Sequence, residues 1–336
     1  MRRRLSLLAL VAVPLIAFTG CASGADEATS GGPATEFVKQ DPLVIGYSVY
    51  DLQNPYWQAW SAGVKAAAEE NGATVVVADQ KSSQQEQVSG SLDLINQGIS
   101  ALIVTPVQPS ALPATIDAAH DAQIPVVIGD IGTAGDYDAY VLSNNYNGGE
   151  QAAQYLVDLA GTSTESKKVG VIELHAGSVV GEERVDGFKD ALAKDTRFEI
   201  VASLSGEDTV DGGYAAAQDM LSANPDLDII YAANDASAVG AQRALETAGK
   251  SVADGFTLIG FDGNDDALGL IEDGLMSATI AQDPYGQGEA AVKTALALLD
   301  GKDPEFSDAD TKTVFFPVTV VTKDTVAEFT AGRENR

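Results

Sequence analysis

The sequence predicts an α/β fold, with doubly wound parallel sheets divided between two lobes. Three observations predict it. From residue 44 onward, apolar runs of strand length alternate with helical patterns almost without a break. The apolar runs are near-continuous, as parallel strands covered on both faces must be. About 295 residues follow the polar N-terminal region, more than one ordinary core accommodates.

Residues 1–20 stand apart from the fold. Arg2, Arg3 and Arg4 precede a short apolar run that ends at Phe18, Thr19 and Gly20, just before Cys21. That pattern is a secretory signal, too short for a stable membrane span. Cys21 is the single cysteine, so no internal disulfide is available. Residues 21–41 are rich in Gly, Ala, Ser, Thr and acid, the composition of a flexible tether.

The first strand, 44–49, runs into a polar turn. Asn54-Pro55 then starts a helix, Asn as cap and Pro at the first helical position. Tyr56 and Trp57 follow at once, while Trp60 and Val64 continue at helical spacing as packing residues. Strands are expected at 73–79, 101–107, 124–130, 140–144, 168–174, 199–204, 228–233, 257–261, 277–281 and 314–322. Helices are expected at 84–97, 110–122, 149–159, 182–193, 212–223, 236–248, 265–272 and 285–299.

The chemistry gathers where strands end. The first strand delivers Tyr50 and Asn54, and 124–130 ends at Asp130. The strand 228–233 runs into Asn234, 257–261 into Asp262 and 277–281 into Gln282. Arg184 lies near a helix start after the loop 175–181. In an open α/β sheet the carboxyl ends of the strands are where ligands bind. Carboxylates, amides and a guanidinium together pair with hydroxyls that both donate and accept. Aromatic rings cover the C–H face of a sugar. Asp235 is taken as a helix cap.

These motifs resemble the type I periplasmic binding proteins, in particular the ribose-binding branch that serves ABC sugar importers. The resemblance runs from residue 43 to about 322. It rests on Asn54-Pro55-Tyr56-Trp57, Ile124 to Asp130, Glu183 to Phe188, Ala233-Asn234-Asp235, Gly260-Phe261-Asp262-Gly263 and Ala278 to Gln282. It implies ligand contacts from Asn54, Tyr56, Trp57, Asp130, Arg184, Asn234, Asp262 and Gln282, and Tyr50 joins them by position. Ile131 stands where ribose binders carry a second arginine, and Asp208 stands about where they carry an aromatic. The resemblance also implies two Rossmann-like lobes with three hinge crossings. One lobe would comprise 42–143 with 283–316, the other 144–282 with 317–330. The residues before Cys21 resemble a lipobox, which implies a lipid on Cys21 at the outer face of the cytoplasmic membrane.

The implied partners are a small neutral carbohydrate or polyol and an ABC permease, with no cofactor and no metal; the protein is expected to be a monomer. The net charge of −29 speaks against nucleic acid. No Ser/His/Asp or His-rich metal arrangement marks an enzyme. Residues 244–251 end in Gly-Lys-Ser but lack the first P-loop glycine. Asp262, Asn264 and Asp266 imitate a calcium loop, but Ala267 replaces its glycine and Asp273 its glutamate. His120 is expected on a helix surface; His175 and Asp208 fall on loops, and the sequence leaves open whether either reaches the cleft. A sensor that signals to a receptor or histidine kinase would use the same cleft and is the alternative function.

Overall fold

The computed structural model describes residues 37–335. The signal segment, Cys21 and the tether up to residue 36 lie outside the described residues. The last tether residues are docked: Val38 N–H donates to the Gln123 carbonyl at 3.1 Å, and Lys39 pairs with Asp300 at 2.9 Å. Among the described residues no helix is long and apolar enough to cross a membrane.

The first sheet contains β1 (Val44–Val49), β2 (Thr74–Asp79), β3 (Ala101–Val104), β4 (Val126–Gly129), β5 (Ala139–Ser143) and β11 (Thr313–Phe316). Their order is β11-β5-β4-β3-β1-β2, all parallel. The second sheet contains β6 (Lys167–Glu173), β7 (Phe198–Ser205), β8 (Ile229–Ala232), β9 (Thr257–Asp262), β10 (Ala278–Ala281) and β12 (Thr319–Thr322). Their order is β12-β10-β9-β8-β6-β7, with only the edge strand β12 antiparallel. The chain passes between the sheets after β5, after β10 and between β11 and β12.

Both faces of each sheet are apolar, and helices cover both. In β1, Ile45, Tyr47 and Val49 meet one face, where α1 (Pro55–Glu70) and α9 (Pro284–Leu299) pack. The other face meets α2 (Gln84–Asn96) and α3 (Pro113–Asp121) through Leu94, Ile95 and Ile116. The second sheet lies between α4 (Asn145–Ala160) with α5 (Val179–Leu192), and α6 (Val210–Ala223) with α7 (Asp235–Thr247), α8 (Asp265–Glu272) and α10 (Val326–Glu334). Trp60 and Val64 are fully buried, as packing residues should be.

α4 and α5 approach each other closely. A Cβ on Gly149 would lie 2.1 Å from the Arg184 carbonyl oxygen, and one on Gly187 2.0 Å from that of Tyr146. The two backbones touch there, and only glycine fits such an approach.

The expected strand 314–322 is two strands in two sheets. Pro317 lies between them and has no N–H for a ladder. The expected helix 110–122 breaks into a 3₁₀ turn, Pro109–Ala111, and α3, because Pro113 takes the first position of a new helix. The terminal helix α10 was not anticipated. His120 is not simply a surface residue: its Nε2 lies 2.8 Å from Asp138 Oδ2, which also accepts the Val126 N–H.

Candidate functional site

Asn54 caps α1, its Oδ1 accepting the Tyr56 N–H at 2.9 Å. The cap places Tyr56 and Trp57 in the first turn, facing the end of β1. Tyr50 stacks on Trp57 with centroids 5.3 Å apart and planes at 14°, and Tyr56 meets Trp57 edge-on at 4.8 Å. Three rings thus form one wall.

Asp130 follows β4 in the left-handed region at φ +59°. Its carbonyl accepts the Tyr140 hydroxyl at 2.8 Å, and its N–H donates to the Val141 carbonyl at 2.8 Å. Backbone held on both sides keeps this unusual conformation and aims the carboxylate outward from the sheet. Its Oδ1 accepts the Tyr56 hydroxyl at 2.7 Å. Burial pushes its carboxyl up to about 6, against the pull of Tyr56 and Arg184.

Arg184 is buried on α5, across from the first sheet. The touching backbones of α4 and α5 bring Asn145 against it, and its Nε donates to Asn145 Oδ1 at 2.9 Å. Its Nη1 donates to the Ala233 carbonyl and to Asp262 Oδ1, both at 2.9 Å. The guanidinium carbon lies 3.9 Å above the centre of the Phe261 ring. Asp262, at φ +128°, also accepts Gln282 Nε2 at 2.8 Å. Gln282 Oε1 accepts Ser143 Oγ at 2.8 Å, and the Tyr56 hydroxyl lies 3.2 Å away. Asn234 caps α7 through the Ser237 N–H and donates Nδ2 to the Asp208 carbonyl at 3.3 Å.

The structure brings Tyr50, Asn54, Tyr56, Trp57, Asp130, Arg184, Asn234, Asp262 and Gln282 to the walls of a single cleft of about 910 Å³ between the two sheets. Ile131, His175 and Asp208 line it as well. His175 and Asp208 come from two loops and form a pair, ring Nδ1 to Oδ2. No local pattern joins these residues in sequence.

Asp235 corrects the expectation of a cap. Asn234 performs the capping, and Asp235 is buried behind the cleft. Its oxygens accept the Asn264 N–H and the Thr279 hydroxyl, each at 2.7 Å. Burial and then the neighbouring Asp262 push its carboxyl up to about 8. Burial raises the Asp262 carboxyl as well, against the opposing pull of Arg184 and Gln282 beside it. Among the described residues no group of three or more His, Cys, Asp or Glu has a metal-binding arrangement.

Residues 45–303 match the family model of the periplasmic binding protein domain. The chain belongs to that family. This periplasmic binding protein has the type I fold of its family, and it is a binding protein rather than an enzyme. Ribose import binding protein RbsB of Bacillus subtilis (strain 168) is 33% identical over 261 residues, covering 77% of this chain and 83% of its own. A periplasmic solute binding protein of an ABC transporter from Actinobacillus succinogenes 130z, solved with D-allose, is 27% identical. Its TM-score is 0.72, over 85% of this chain and 99% of its own. The Caulobacter myo-inositol binding protein, bound to myo-inositol, is 28% identical with a TM-score of 0.67, over 85% and 95%.

Proposed function

We propose that this protein captures a small neutral carbohydrate or polyol in its cleft, outside the cytoplasm, and delivers it to the permease of an ABC importer. The observation that carries this is the makeup of the cleft, in which carboxylate acceptors, amides, one guanidinium and a stacked aromatic wall meet from both sheets. A polyol's hydroxyls give Asp130 and Asp262 the donors they need once water is excluded, and its C–H face suits the rings. The relatives named for ribose, D-allose and myo-inositol support the same ligand class. Asp130 and Asp262 disfavour sugar phosphates, and Ile131 offers ribose no guanidinium.

A thermal-shift panel of myo-inositol, D-allose, D-ribose and glycerol tests this. At least one compound is expected to raise the melting temperature, because binding to the native state stabilises it by mass action. Flat melting curves throughout such a panel count against the reading. Asp130→Ala is expected to keep the fold and to weaken the best ligand about 10- to 100-fold by calorimetry, the loss of a charge-assisted hydrogen bond. An unchanged affinity would remove Asp130 from the site.

The lobes are proposed to close on the ligand by hinge motion about the three crossings, and Cys21 to carry a lipid that holds the protein at the membrane. Cys21→Ser is expected to shift the protein from the membrane fraction to the medium or leave it unprocessed. Membrane retention of a processed variant that carries no lipid label would speak against the anchor.

A further inference from the structure

Beneath the cleft lies a glutamine that does not line it. Gln287, on α9, is fully buried. Its Nε2 donates to the Tyr56 hydroxyl at 3.2 Å and to Ser143 Oγ at 3.1 Å. Both acceptors are hydroxyls, so each has one proton left to give. The Tyr56 hydroxyl donates to Asp130 at 2.7 Å, and the Ser143 hydroxyl donates to Gln282 Oε1 at 2.8 Å. Gln282 in turn presents Nε2 to Asp262. Two chains therefore start at one amide and end on two carboxylates, Asp130 in the first lobe and Asp262 in the second.

The direction of these chains is set at Gln287. Tyr56 has one proton and two acceptors in reach, Asp130 at 2.7 Å and Gln282 Oε1 at 3.2 Å. The phenol's single proton goes to the nearer carboxylate of Asp130, and Gln282 Oε1 keeps the Ser143 hydroxyl as its donor. Reversing the Gln287 amide would turn both hydroxyl protons toward its oxygen. Asp130 and Gln282 would then lose donors, and two buried N–H protons would lose acceptors. In the observed orientation Gln287 Oε1 is the one atom of this network, all of it in described residues, that lacks a partner. One unpaired acceptor costs less than two unpaired donors and two deprived acceptors.

We propose that Gln287 is a positioning residue of this site: its amide fixes Tyr56 as a donor to Asp130 and Gln282 as a donor to Asp262. Both carboxylates then meet the ligand as acceptors, ready for hydroxyl donors. The consequence for affinity rests on the ligand reading above, whereas the relay itself is testable without ligand.

The test is carbon-13 carboxyl NMR of the ligand-free mature protein, with the Asp130 signal assigned by Asp130→Asn. Tyr56→Phe and Gln287→Leu are each expected to move the Asp130 midpoint upward by about half to one pH unit, the loss of one hydrogen bond to the carboxylate. The double variant is expected to move it no further than Tyr56→Phe alone. The other groups that face Asp130 stay in place: Arg184 from α5, Asp262 at the end of β9, Tyr47 in β1 and Tyr140 in β5. An unmoved midpoint in Gln287→Leu, or shifts that add, overturns the proposal. Gln287→Met serves as a second variant. In the unmutated protein the Tyr56 hydroxyl proton should exchange slowly and show a nuclear Overhauser effect to the Gln287 amide. A freely exchanging proton overturns the relay even if neither variant folds. With the best-bound compound of the panel, Gln287→Leu is expected to lower affinity about ten-fold. If the titration follows the relay but no compound binds, the ligand reading fails and the relay stands.

Discussion

Arg184→Met is expected to lower stability by about 3–5 kcal/mol, more than any other truncation in the cleft. Methionine fills most of the volume but leaves every polar neighbour in place. Asp262 loses its counter-charge, and Asp235 lies directly behind it. The Ala233 carbonyl and Asn145 Oδ1 lose buried donors. The Phe261 face loses its cation. Removing one partner of a buried pair costs more than the pair contributes net, because the charge left behind has no water. Chemical denaturation should show a lower midpoint. Arg184→Lys should recover part of the loss, since the ammonium keeps the charge but not the planar fork. A change within about 0.5 kcal/mol for Arg184→Met would mean that Asp262 is solvated or protonated instead.

The second large effect is one of pH. The ligand-free protein is expected to be more stable near pH 5 than near pH 8. Asp130 releases its proton near 4 when unfolded and at about 6 when folded. Asp235 is raised further, to about 8, and Asp262 is raised as well. Between about pH 4 and pH 8 the folded state therefore holds more protons than the unfolded state, and stability falls as pH rises through that window. A gap of two units at Asp130 corresponds to about 2–3 kcal/mol. Asp195, half-buried, and the exposed Asp226 are lowered by hydrogen bonds from their cationic partners and act in the opposite sense, below the ordinary carboxylate range. Melting temperatures at matched ionic strength check the slope. Asp130→Asn and Asp235→Asn should each flatten it. A melting temperature that climbs toward pH 8 would show that these carboxylates ionise without penalty.

What the sequence revealed and what it hid have physical reasons. Buried parallel strands need apolar side chains on both faces, so runs such as those around Ile103 and Val127 are visible in one dimension. Their carboxyl ends are visible too, because a polar residue such as Asp130, Asn234 or Asp262 stands just past each run. At Pro317 the apolar pattern runs straight across the break, 314–322, and it is the family resemblance, through its lobe boundary at 316/317, that implies a crossing there. Asp235 looked like a cap because its neighbour Asn234 is one. Gln287 gave a faint signal, an amide on the apolar face of a helix. Ser143 gave none, and His175 and Asp208 were visible singly but not as a pair, since these roles depend on contacts between distant segments.

The threefold passage between sheets has a consequence for how the chain acquires its structure. Gln287 and Tyr56 share a hydrogen bond across 231 residues. Trp60 and Val64 share a core with Ala291 and Val292, which arrive only with α9. A nascent chain extending only through β10 would still lack α9 and β11 for the first sheet, and β12 and α10 for the second. Neither half is an autonomous unit that matures while the other is being made. Both reach completion within the same late stretch, so pairing over such distances should make assembly slow and concerted.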